Sequence, residues 1–134
     1  MKIEVSNGEI LDKYSILEIK LAKITDKAKL TNILNEYTEL TPNVTRMFAE
    51  ADIKGNLSKL EDLYKDLLDI NKTLWNIEDF IRECERNETF GSDFIELARS
   101  VYYTNDDRAE TKKLINTLTG SLLVEEKSYE DYKA

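Results

Sequence analysis

Leu60, Leu63, Leu67, Ile70, Leu74, Ile77, Ile81 and Cys84 follow one another in three- and four-residue steps with no polar interruption. Such spacing keeps one face of a helix apolar over eight positions and requires neighbouring helices to cover it. Burying each aliphatic side chain contributes about 1.5–3 kcal/mol gross, so this seam supplies on the order of 10–20 kcal/mol before conformational entropy is subtracted. The chain is therefore expected to fold around a long helix, from about Leu57 to Arg86, roughly 45 Å from end to end. Composition points the same way. Four glycines and one proline among 134 residues are too few turn formers for a many-stranded protein, and a hydrophobic content of 41% is too high for a disordered one. The expected fold is all-α, an antiparallel bundle of about five helices in a single domain spanning residues 1–134.

The other elements follow from caps and periodicity. Ser6 followed by Glu9 reads as a capping box that opens a first helix from about Asn7 to Ile24. Its inner stripe is Ile10, Tyr14, Leu17, Leu21 and Ile24, with Asp12, Lys13, Glu18 and Lys20 flanking it. The apolar phase then shifts to Leu30, Ile33, Leu34, Tyr37 and Leu40, which predicts a break with a new cap at Thr25-Asp26 and an antiparallel helical hairpin. Thr41-Pro42 reads as the start of a short third helix, since proline at a first helical position loses no needed donor. Asn87 to Ser92 is the clearest loop, and Ser92 or Asp93 opens a last helix that ends at Gly120. Lys2-Ile3-Glu4-Val5 and the tail from Ser121 to Lys127 are both able to extend as strands and pair, tying the two ends together. Tyr129 and Tyr132 would clamp the tail onto the body.

Several functions are excluded outright. The chain has no histidine, so no imidazole serves as a base or a metal ligand. One cysteine allows no internal disulfide and no cysteine-rich zinc site. Cys84 reads as a small buried hydrophobe. A net charge of −8 opposes general adhesion to nucleic acid or anionic lipid, and no run approaches the ~18 apolar residues of a spanning helix. A cytoplasmic location is expected, with no cofactor and no metal. Acidic pairs such as Glu36/Glu39 and Asp66/Asp69 arise readily in so acidic a helical chain.

No motif names a reaction. The best clue to function is polarity in the wrong place. The stripe Phe94, Ala98, Val101, Asn105, Arg108, Lys112, Ile115 keeps helical stepping but sets three polar side chains where apolar ones belong. Beside the long seam, Tyr64, Leu68, Asn71, Trp75, Glu78, Arg82 and Glu85 turn from apolar to polar halfway along. If the two faces meet, Glu78, Arg82, Asn105 and Arg108 share one layer with the sole tryptophan as a wall. Two readings stand side by side: a satisfied polar network that fixes helix register, or a pocket. In the pocket, Arg82, Arg108 and Lys112 receive an anion while Trp75 or Tyr102 stacks on a ring.

Stretches across almost the whole chain resemble a family of short, uncharacterised helical proteins of bacteria and phages, a domain of unknown function. They include Gly8-Glu9-Ile10-Leu11-Asp12-Lys13, Ile16-Leu17-Glu18-Ile19-Lys20, Leu74-Trp75-Asn76-Ile77-Glu78, Phe94-Ile95-Glu96-Leu97-Ala98-Arg99, Val101-Tyr102, Asn105-Asp106, Arg108-Ala109 and Val124-Glu125-Glu126-Lys127-Ser128-Tyr129. The resemblance implies a setting beside surface-polysaccharide or glycosyltransferase functions and carries over no catalytic residue. The expectation is a non-enzymatic helical binding or accessory protein, a homodimer, that engages a protein partner through its polar layer or acidic surface. The alternative is a small enzyme or ligand-binding protein for a phosphorylated or nucleotide-linked metabolite, with Glu78 as base.

Overall fold

In the computed structural model, which describes residues 1–123, 126–128 and 131, four helices account for the architecture: α1 (Asn7–Lys23), α2 (Lys27–Ile53), α3 (Leu57–Asn87) and α4 (Ser92–Thr119). Helix α1 begins where Ser6 Oγ accepts the Glu9 N–H, and α2 where Asp26 accepts that of Lys29. Gly120 closes α4 in the left-handed conformation that glycine adopts without penalty. The capping box is only half formed, because the Glu9 carboxylate turns to Lys112 Nζ at 2.7 Å.

The expected third helix does not exist as a separate element. Pro42 lies inside α2, so the helices number four rather than five. Ile33, Tyr37, Leu40, Val44, Met47 and Ala51 keep their three- and four-residue steps straight through the proline and all face the core or its edge. An interior proline costs about 3 kcal/mol, whereas six apolar positions at about 1.5–3 kcal/mol each outweigh it. The Thr41 hydroxyl donates to the Tyr37 carbonyl at 2.7 Å within the turn that Pro42 disturbs.

No strand forms among the described residues; Lys2–Val5 is irregular and exposed. The expected terminal pairing is therefore absent from them, with Val124 and Glu125 of the tail lying outside the described residues, as do Tyr129 and Tyr132. Serine caps the first helix instead, and Ser121 Oγ accepts the Asn7 N–H at 3.1 Å, which brings the two ends together without a ladder.

Helix α1 packs against all three others, antiparallel to α2 and α4. Leu11, Leu17, Leu60, Leu67 and Ile115 are almost wholly buried around it. An aromatic group joins α1, α2 and α3, with Tyr14 stacked on Tyr37 at 4.4 Å and Phe48 meeting Tyr64 edge-on at 6.1 Å. The Tyr14 hydroxyl, helped by burial, pushes the Tyr37 phenol up to about 12. Burial drives the Tyr64 phenol higher still, and its hydroxyl makes no hydrogen bond of good geometry. A phenol whose folded pKa is raised stabilises the fold below its unfolded value near 10 and loses that contribution as pH rises through about 12. Absorbance titration at the phenolate band should therefore show a fraction of the seven tyrosines ionising late, together with alkaline unfolding. All seven titrating at the ordinary value in the folded protein would refute this.

Seventeen residues of α1 cannot cover the thirty-one of α3. Past Ile77 no residue of α3 is buried, and the apolar residues there and on the first half of α4 are only partly covered, with Phe80, Phe90 and Ile95 exposed.

Candidate functional site

The polar centre of the bundle is built from α1 outward. Gly8, Leu11, Asp12, Ser15 and Ile19 form a second buried stripe on α1 beside the one through Tyr14 and Leu17, because α1 is enclosed by helices on several sides. Asp12 is 1% exposed. Arg108 grips it through two parallel bonds, Nε to Oδ1 at 2.9 Å and Nη2 to Oδ2, a bidentate pairing that arginine alone provides. Asn71 Nδ2 donates to Asp12 Oδ1 at 2.9 Å and to Ser15 Oγ at 2.7 Å, and Ser15 Oγ donates to the Asp12 carbonyl at 2.7 Å. One carboxylate thus ties α1, α3 and α4 together. A buried charge tolerates its desolvation only with such partners.

A cavity of about 480 Å³ opens directly on this network. Ile16 and Ile19 of α1, Leu74 and Trp75 of α3 and Val101 of α4 supply its apolar wall; Asn71, Glu78, Asp79, Arg82, Asn105 and Arg108 supply its polar side. Glu78 and Arg82 stand 3.6 Å apart as an exposed ion pair one helical turn apart. Such a pair contributes little to stability. The polar halves of α3 and α4 therefore line one hollow.

Of the seven residues singled out from sequence, Trp75, Glu78, Arg82, Asn105 and Arg108 line this cavity and two do not. Lys112 pairs with Glu9 and borders a smaller hollow of about 200 Å³, which shares Asn105 and Arg108 and adds Lys113, Asn116 and Lys127. Tyr102, expected as a stacking partner in the pocket, faces outward and is exposed, as is Tyr103. Val101, Thr104 and Asn105 take the inner positions, and residues 102 and 103 are left on the far side of the helix. Likewise Leu97 rather than Ala98 is covered. Cys84 is half-buried, lining a groove between α3 and α4, and not sealed in the core.

Asp12, Ser15 and Gly8 were not singled out. Their signal was present as the four-three-four spacing of Gly8, Asp12, Ser15 and Ile19, a row of small or polar residues next to an apolar stripe. Gly8 lets α4 approach so closely that its N–H reaches Asn116 Oδ1 at 2.6 Å. Among the described residues no group of three or more carboxylates or thiols gathers as a metal site, and no helix is long and apolar enough to cross a membrane.

Residues 1–133 match the model of a family described as "Family of unknown function (DUF6165)", and the chain belongs to that family. No curated protein and no solved structure matches the chain.

Proposed function

We propose that this member of a family of unknown function is a helical binding protein that seats a small ligand, a flat ring bearing an anionic group, in the cavity between α1, α3 and α4. One observation carries the reading: Trp75 and Arg82 meet Asn71, Asn105 and Arg108 around an open hollow, at a level where a helical bundle would otherwise interlock aliphatics. Its volume of about 480 Å³ suits a metabolite. An indole offers a stacking face, two amides offer directional hydrogen bonds, and guanidinium groups suit phosphate or carboxylate. Asp12 holds Arg108 in place beforehand, so little side-chain freedom is lost on binding.

Binding is favoured over catalysis by a hydroxyl, thiol or amine nucleophile because, among the described residues, no serine, threonine, cysteine, tyrosine or lysine lines the cavity. Glu78 and Asp79 at its rim are the observation in favour of the second reading, an enzyme for a phosphorylated or nucleotide-linked metabolite.

Trp75 is the only tryptophan, so its emission reports on this cavity alone. Titration with a uridine diphosphate sugar, a nucleoside diphosphate, a free nucleoside and inorganic phosphate should quench it for the ring-plus-anion compounds and raise their Tm. Occupancy at 100 times Kd stabilises by about 2.7 kcal/mol, a shift of several degrees. Arg82→Ala, a change at an exposed side chain, should weaken binding about tenfold without altering the fold. Unchanged emission and Tm with all four compounds would end the proposal; turnover of any of them would replace it by the second reading.

A further inference from the structure

We propose that the groove between the distal half of α3 and the first half of α4 is a docking surface for a basic amphipathic helix of a partner protein. Phe80, Cys84 and Leu97 form its apolar floor and Glu83, Asp93 and Glu96 its rim, around about 640 Å³. Among the described residues, no lysine or arginine lines it. Phe80 leaves 55% of its surface to water, a costly exposure for an aromatic ring.

Charge decides the occupant. Residues 78–99 carry seven carboxylates against three arginines and no lysine. A second copy of the chain would set those carboxylates against their own kind across a two-fold axis, which like-charge repulsion opposes. A helix with an apolar stripe flanked by lysine and arginine meets both demands: its anchors, one turn apart, fill the floor while its cations reach the rim. The surface shares no lining residue with the ligand cavity but adjoins it, since Glu83 follows Asp79 of the cavity by one turn of α3 and Leu97 precedes Val101 by one turn of α4.

The single cysteine lies on the groove floor and makes a site-specific reporter. A leucine–lysine amphipathic helical peptide and a scramble of the same composition serve as probes at physiological salt. The amphipathic peptide should bind by fluorescence anisotropy and slow N-ethylmaleimide alkylation of Cys84; the scramble should do neither. Phe80→Ser should weaken binding about tenfold or more, as loss of an aromatic anchor does. Glu83→Lys combined with Glu96→Lys should weaken it and flatten its salt dependence. Both variants alter exposed side chains and should melt like the parent. Equal binding by the scramble, or unchanged alkylation at saturating peptide, overturns the proposal. So does sedimentation as a dimer that Phe80→Ser dissociates, because a second copy would then be the occupant.

Discussion

Asp12→Ala will destabilise the protein by about 3–5 kcal/mol, a large share of the total stability of a chain this size. The alanine removes a carboxylate that is 1% exposed and that accepts from both Arg108 and Asn71. It takes from the guanidinium facing the cavity its buried carboxylate partner, and from the Asn71 amide one of its two acceptors. Arg108→Ala should cost as much by the opposite route, stranding a buried anion with Asn71 as its remaining side-chain donor. Replacing both at once, Asp12→Leu with Arg108→Met, should recover most of the loss, because an apolar pair of similar volume carries no desolvation penalty. Urea denaturation of the three variants checks this directly. A loss below about 1 kcal/mol for Asp12→Ala would show that the network contributes no more than a surface pair does. The double replacement also separates structure from binding: it should refold the bundle and still abolish ligand-dependent quenching of Trp75, since Arg108 lines that cavity.

Gly8→Ala should destabilise by about 3 kcal/mol, the upper part of the range for overfilled cores. A β-carbon built there falls far inside contact distance of the Lys112 carbonyl, a backbone group unable to swing aside, and lies 3.0 Å from Asn116 Oδ1. Relief requires α1 and α4 to separate, which lengthens the Gly8–Asn116 hydrogen bond and disturbs the Asp12–Arg108 pairing one turn further along. The sign is diagnostic. Alanine is the better helix former by roughly 1 kcal/mol, so helix propensity alone calls for a gain. Gly91→Ala is the control: its β-carbon meets nothing within 4 Å and should change stability by less than about 0.5 kcal/mol. Thermal melts of the two variants that agree with each other would remove the case for close α1–α4 packing.

Much of the bundle is legible in the residues themselves. Ser6 and Asp26 as caps, Gly120 as a stop, and the long helix of Leu60 to Cys84 are local signals, each complete within a few turns of chain. Pro42 misleads for the same reason. Read locally it is a helix start; read against the stripe from Ile33 to Ala51 it is an interruption that burial overrides. The candidate site divides along similar lines. Trp75, Glu78, Arg82, Asn105 and Arg108 stand out as polar or aromatic breaks in helical stripes, and all five line the cavity. Tyr102 was grouped with them by chemistry rather than by helical phase, and phase turns it outward.

The long helix, the caps at Ser6 and Asp26 and the main apolar faces were set by local sequence, because periodicity and capping act over three or four residues and are backed by large burial energies. Which polar groups would share a buried charge was decided only by the tertiary structure. The Asn71 and Arg108 bonds to Asp12 span 59 and 96 residues of chain. A carboxylate beside an apolar stripe is written the same way whether it meets water or a guanidinium, and only the packing of α1 among three helices chooses between them.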